Sequence, residues 1–188
     1  MGLLLLAPLL LTVALWVKLD SRGPVLFRQE RVGQFGRPFR IHKFRSMRTD
    51  AAGLPLTVGA DPRITRAGHW LRRTRVDELP QLIDVLWGDM SLVGPRPEVP
   101  RYVAHYPPAL RERALAVRPG LTDPVSLDFM DEAALLARAA DPEREYIEVI
   151  LPAKLQRAAD YAERATLATD LGLLWRTLRV LWAQGRGA

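Results

Sequence analysis

The sequence predicts an α+β fold. The expected form is a mostly helical single domain with a small β-hairpin, an N-terminal re-entrant membrane helix and amphipathic interfacial helices. Three observations predict it. Residues 2–17, GLLLLAPLLLTVALWV, are sixteen uncharged positions with a proline in their midst. Residues 24–48 alternate short apolar groups with Arg and Lys around Gly33 and Gly36, the pattern of two short strands and a turn. From Asp77 onward apolar residues recur at helical spacing.

Taken in order, a helix of sixteen residues reaches roughly 24 Å, short of the roughly 30 Å hydrocarbon core of a bilayer. Pro8 removes a backbone donor and crowds the preceding turn, so a straight helix should kink or break there. Neither a basic leading region nor a small-residue cleavage site marks a secretory signal. Residues 1–20 therefore read as a helix that dips into one leaflet and returns, with Pro8 at the break and Trp16 and Lys18 at the interface. Its inbound arm is short, so either the chain begins late or the contact is shallow. A buried soluble helix is the plainer alternative.

Residues 21–188 read as one further domain. Val25–Phe27 and Phe39–Phe44 form the hairpin strands, and residues 49–62, with Gly53, Pro55, Gly59 and Pro62, form a loop. Leu79, Leu82, Ile83 and Leu86 share a helix face, with Pro80 in its first turn and Gly88 at its end. Residues 91–100, SLVGPRPEVP, hold three prolines and read as a rigid loop. Helices follow near 108–117, 131–140, 143–165 and 170–184. In the last, Leu171, Leu174, Trp175, Leu178, Leu181 and Trp182 line a face that suits a core or a membrane interface equally.

Composition narrows the chemistry. The 188 residues include no cysteine, which excludes disulfide scaffolds, thiolate metal sites and thiol nucleophiles. The formal charge is +6, yet residues 1–75 carry +10 and residues 76–188 carry −4. Such asymmetry points to an anionic partner: a phosphorylated molecule, an anionic membrane or nucleic acid. His42, His69 and His105 lack zinc spacing and read as structural or surface residues. Neither a Gly-rich phosphate loop nor a serine elbow is present.

Three features remain. Asp77 and Glu78 are adjacent just before a helix, where unpaired N–H groups favour a carboxylate or a bound phosphate. Acidic residues there commonly do no more than cap the helix. Arg63, Arg66, Arg72, Arg73 and Arg75 lead into that pair. Arginine suits bidentate phosphate recognition, although an exposed helical turn would need no further explanation. Arg96 and Arg118 stand on stiff, proline-flanked backbone. Finally, Asp77, Glu78, Asp84 and Asp89 are candidate ligands for a divalent ion shared with substrate phosphates.

The strings GPVLFRQERVG (23–33), FRIHKFRSMR (39–48), DPRITRAG (61–68), LRRTRVDELPQLIDVLWGDMSLVGPRPE (71–98) and VRPGLTDP (117–124) resemble, in order, the bacterial sugar transferase family. These are monotopic polyprenyl-phosphate phosphoglycosyl transferases. The resemblance implies an enzyme on the cytoplasmic face of the bacterial inner membrane. It would move a sugar 1-phosphate from a UDP-sugar to undecaprenyl phosphate, release UMP and require Mg²⁺. Asp77 is then the expected nucleophile, forming an aspartyl phospho-sugar, and a candidate Mg²⁺ ligand. Glu78 is the second member of the catalytic pair. Arg72, Arg96 and Arg118 are implied phosphate binders, as are Lys43 and Arg45. Two departures stand out: Ala7-Pro8 replaces a common Ser-Pro, and Asp123-Pro124 follows Thr122 where many relatives carry a Thr-Gly stretch containing Gln. No sugar specificity is carried over. Nucleic acid is not an expected partner, while a homodimer through the two-Trp helix is open. The rival reading is a non-catalytic basic module binding a membrane or RNA; against RNA, aromatics do not interleave with the arginines as a stacking platform requires.

Overall fold

Helix α1 runs without interruption from Gly2 to Asp20, with Pro8 inside it. A computed structural model of the chain describes residues 2–50, 53–123, 125 and 132–186. The break expected at Pro8 therefore does not occur in the described residues. Pro8 lies in the second turn, where it forgoes a single amide bond, and the Thr12 hydroxyl donates to the Pro8 carbonyl (2.9 Å) one turn on. No helix among the described residues is long and apolar enough to cross a membrane. One face of α1 buries Val13 and Val17 against Phe44, Ala67 and Leu71. The other leaves Leu5, Leu11, Leu15 and Leu19 exposed. Trp16 packs on Trp70 with ring centroids 5.4 Å apart.

Strands β1 (Leu26–Val32) and β2 (Pro38–Phe44) form the antiparallel hairpin. Its register pairs Phe27 with Lys43, Gln29 with Ile41 and Arg31 with Phe39. Opposed residues share a face, so these six side chains form one surface. β1 extends well beyond the apolar triplet that marks it in the sequence, because its polar residues alternate in and out of the pleat. The hairpin tip is a 3-10 turn, Gln34–Gly36, with Phe35 at φ 56°. The Phe35 amide donates to the Leu115 carbonyl (2.8 Å), which ties the tip to the body.

Helix α2 (Arg66–Thr74) was hidden by its arginines. Thr65 caps it, accepting from the Gly68 amide at 3.0 Å, and Ala67, Gly68 and Leu71 are buried. Arg75, in the left-handed region at φ 57°, ends α2. A 3-10 helix, Val76–Gln81, follows, then α3 (Leu82–Trp87), which Gly88 ends at φ 85°. Pro80 thus lies within the 3-10 segment and not in the first turn of the α-helix, which starts two residues later.

The segment 91–100 is only partly the expected loop. Ser91–Val93 form β3, pairing in parallel with β4 (Gly120–Thr122), and α4 (Pro100–Val103) starts at the third proline. Parallel pairing brings two backbones into contact at glycine. A Cβ on Gly94 would lie 2.4 Å from the Arg118 carbonyl, and one on Gly120 would lie 2.1 Å from the Gly94 amide nitrogen. Both positions therefore require glycine.

The remaining elements are α5 (Pro108–Ala114), α6 (Glu132–Leu136), α7 (Pro142–Glu145), a π-turn over Tyr146–Ile150, α8 (Leu151–Arg164) and α9 (Leu167–Arg186). The helix predicted over 143–165 is α7, the π-turn and α8 in succession. Leu56, Val99, Tyr102, Leu136, Tyr146, Ile150 and Leu151 make the principal core cluster. On α9, Leu167, Leu171, Trp175 and Leu178 are all more than half exposed, so the apolar stripe is not core. Pro124, Asp131 and the side chains of Leu181 and Trp182 lie outside the described residues.

Candidate active site

Asp77 and Glu78 are both buried, on the 3-10 turn between α2 and α3. The left-handed Arg75 makes this possible by reversing the chain after α2, and its carbonyl then accepts from the Glu78 amide (3.1 Å). From β2, Lys43 Nζ reaches Asp77 Oδ2 at 2.8 Å and Glu78 Oε1 at 3.4 Å. From the loop after β3, Arg96 grips Glu78 with Nη2 at 2.5 Å and Nη1 at 3.4 Å. Arg75 Nη1 stands 3.9 Å from the same carboxylate.

The two carboxylates are not equivalent. Burial would raise the Glu78 pKa, but Arg96, Lys43 and Arg75 outweigh it and hold that carboxyl well below the usual range. Glu78 in turn pushes the Arg96 guanidinium upward against its own burial. Asp77 has one oxygen on Lys43, while Oδ1 is buried with no hydrogen-bond partner. A buried acceptor left free is costly in a structural role, so Oδ1 marks an oxygen kept for something else.

In front of the pair lies a cavity of about 630 Å³. Lys43, Arg72, Arg75 and Arg96 line it, and the carboxylates sit behind them. Arg72 is held by Thr57 Oγ1 at 2.6 Å, and its pKa is lowered by burial, partly offset by Asp77 and Glu78. Such a wall of cations can neutralise an anionic ligand, with the two carboxylates buried directly against it and outside the lining itself.

Other expected residues are placed differently. Arg45 lines the cavity, yet its donors go to the Val17, Ser21 and Pro24 carbonyls (3.2, 2.8 and 2.6 Å) and to Ser21 Oγ. It caps the C-terminus of α1 and is a positioning residue, not an open phosphate ligand. Arg63 is similarly spent on Asp61 and on the Leu54 and Leu56 carbonyls. Arg66 and Arg73 are exposed outside the cavity. Arg118 is exposed beside Gly88 and does not line the cavity either. Asp84 is not a free metal ligand: its Oδ1 meets His42 Nδ1 at 2.6 Å and its Oδ2 accepts the His42 amide at 2.9 Å. His42 is structural, as expected, and packs edge-on to Trp87.

Several site residues show no sign of their role in the sequence, although Arg31 and Glu98 lie within the strings 23–33 and 71–98. Arg31 Nη1 donates to the Pro97 carbonyl at 3.0 Å, and the Val32 amide donates to the Glu98 carbonyl at 2.9 Å. These bonds fix the loop that aims Arg96. Glu98 bonds the Tyr146 hydroxyl and lines the cavity with Glu132, Tyr146 and Lys154. Glu98 closes the string 71–98 and could have been flagged by it, whereas nothing in the sequence flags Glu132 or Lys154.

A buried acid pair next to a cationic cavity of about 630 Å³ is an arrangement with room and charge for a phosphorylated small molecule. The chain belongs to the bacterial sugar transferase family, whose pattern it matches over residues 1–184. It is 40% identical over 178 residues to the UDP-glucose:undecaprenyl-phosphate glucose-1-phosphate transferase of Caulobacter vibrioides, covering 93% of this chain and 62% of that protein. It is 37% identical over 182 residues to the UDP-N-acetylgalactosamine-undecaprenyl-phosphate N-acetylgalactosaminephosphotransferase of Aeromonas hydrophila, covering 94% and 40%. It is 62% identical over 98 residues to the exopolysaccharide production protein PSS of Rhizobium leguminosarum, covering 50% and 49%. The chain spans less than two thirds of the length of these curated relatives.

Proposed function

We propose that the chain is a phosphoglycosyl transferase that moves a sugar 1-phosphate from a UDP-sugar to undecaprenyl phosphate and releases UMP. This would be the first membrane step in assembling an exopolysaccharide or other glycoconjugate. The single observation that carries the mechanism is Asp77 Oδ1, buried and unpartnered, beside a carboxylate pair gripped by Lys43 and Arg96.

The donor diphosphate competes for Lys43, Arg72 and Arg96, drawing their charge from the carboxylates to itself. Oδ1 then bonds to the β-phosphorus as the bond from that phosphorus to the bridging oxygen breaks, and UMP leaves with the electron pair. A phosphate oxygen of the lipid next attacks the same phosphorus and returns the Asp77 carboxylate. Splitting one displacement into two lets a single cationic site serve both phosphates. Glu78, tied to Arg96 and Lys43, keeps those cations in place.

The residues fit a Mg²⁺ ion in a limited way. Among the described residues no group of three or more His, Cys, Asp or Glu could hold one, so Asp77 would supply the protein oxygen and the diphosphate much of the rest. When bound, the ion would neutralise charge developing on the phosphate oxygens.

The exposed apolar faces of α1 and α9 support a membrane setting on the cytoplasmic face of a bacterial inner membrane, with Pro8 and Trp16 in the contacting helix. Incubation of the chain in lipid nanodiscs with undecaprenyl phosphate and a panel of UDP-sugars tests the proposal. UMP release with at least one sugar is expected; none with any sugar would reject it.

A further inference from the structure

Strand β2 has one open edge. Its other edge pairs with β1, and among the described residues no third strand joins that sheet. Amides on an open edge need partners from elsewhere. The His42 amide donates to Asp84 Oδ2 at 2.9 Å, and His42 Nδ1 lies 2.6 Å from Asp84 Oδ1. Asp84, on α3, is 1% exposed. A carboxylate accepts at both oxygens, so Asp84 clamps residue 42 by its backbone and its ring together.

The clamp joins the two elements that carry the site. The next residue along β2 is Lys43, which reaches Asp77 and Glu78, and the 3-10 turn bearing that pair runs directly into α3. Among the described residues, the hydrogen bonds and ion pairs between β2 and residues 76–87 are those of Lys43 with the acid pair and of His42 with Asp84. Phe44 and Val76 also pack in one cluster, but apolar contact is non-directional and sets no register. When the donor diphosphate draws the Lys43 ammonium to itself, Asp84 is the polar tie that still holds the strand to the turn.

We infer that Asp84 is a positioning residue for the transfer: through the His42 amide it sets where the Lys43 side chain stands relative to Asp77, and it touches neither substrate nor the reacting atoms. The inference rests on the transferase reading above. Without the clamp, β2 can drift from the turn while Glu78 stays gripped by Arg96 from the opposite side. A misplacement of about 1 Å can cost about 100-fold in rate.

The experiment is a double-mutant cycle on kcat for UMP release. Wild type, Asp84→Ala, Lys43→Met and the double variant are compared in nanodiscs, with the unfolding midpoint of each as a control for folding. Asp84→Ala should lower kcat at least about tenfold. In the Lys43→Met background the same substitution should lower it by less than about twofold, because the group it places is gone. Asp84→Asn keeps an oxygen for the His42 amide and should retain most of the turnover. Unchanged kcat in Asp84→Ala would overturn the inference. So would an undiminished loss in the Lys43→Met background, which would mean that Asp84 acts elsewhere than on Lys43. If the Ala variant does not fold, the Asn variant decides: a loss beyond about tenfold at the wild-type midpoint would overturn the inference. Wild-type protein that releases no UMP from any UDP-sugar would instead reject the transferase reading itself, and the inference with it.

Discussion

Lys43 Nζ sits 2.8 Å from Asp77 Oδ2 and leaves Oδ1 of the same carboxylate buried and without a partner. One ammonium thus fixes the carboxylate plane and shields half its charge while the other oxygen stays available. Lys43→Met should lower kcat for UMP release at least about 100-fold, the scale of removing one preorganised cation from a phosphoryl site. Lys43→Arg should recover part of the loss. Turnover within a few-fold of wild type for the Met variant would remove Lys43 from the mechanism.

Glu78 makes the protein's stability depend on acid. Its folded-state pKa is depressed, with burial opposing and Arg96, Lys43 and Arg75 prevailing. The unfolded chain therefore binds the proton more readily, so the stabilisation is present above the ordinary glutamate value of about 4.3. It is lost as pH falls below that value toward the folded pKa. Urea midpoints from pH 7 to pH 3 should fall more steeply for wild type than for Glu78→Gln. Parallel curves would show that Glu78 is not held as described.

Backbone crossing at Gly94 and Gly120 fixes the Arg96 loop against the segment carrying Arg118. Gly94→Ala must displace the Arg118 carbonyl, 2.4 Å from the new Cβ. A cost of at least about 2 kcal/mol is expected from overpacking, a fall of about 4–8 °C in the unfolding midpoint for a chain of this size. A midpoint unchanged within 1 °C, taken as roughly the precision of such a scan, would mean the strands separate without penalty.

Metal dependence follows from the thin protein ligand set. On the proposed mechanism EDTA should abolish UMP release and excess Mg²⁺ should restore it, because two of the site's four cationic charges are already matched by Asp77 and Glu78 and further positive charge is needed as UMP leaves. Full activity in chelator would show that Lys43, Arg72, Arg75 and Arg96 suffice.

Much of this architecture was legible in the sequence, and the exceptions have physical causes. The hairpin, the acidic pair, α5, α8 and α9 follow from periodicity and turn residues. Helix α2 does not, because six of its nine residues, RAGHWLRRT, are charged, aromatic or glycine. Its buried stripe is only Ala67, Gly68 and Leu71, too small to stand out. β3 was masked by the prolines that follow it, since its partner β4 lies 27 residues away and parallel pairing leaves no local signature. Lys43 and Arg96 come from the motifs that carry the resemblance, yet their grip on Asp77 and Glu78 is tertiary. Arg45 shows the converse: a basic residue in a motif beside the site, turned instead to the carbonyls ending α1.

The most direct test concerns Asp77. Wild-type enzyme is mixed with UDP-sugar in the absence of lipid acceptor, quenched in acid, and analysed by intact-protein and peptide mass spectrometry. The mass should rise by that of one sugar phosphate less water, mapped to Asp77, and the adduct should disappear on adding undecaprenyl phosphate. Asp77→Asn should show neither adduct nor turnover, and Asp77→Glu should be severely slowed by a displaced oxygen. Turnover at the wild-type rate by Asp77→Asn, or an adduct on another side chain, would contradict the assignment.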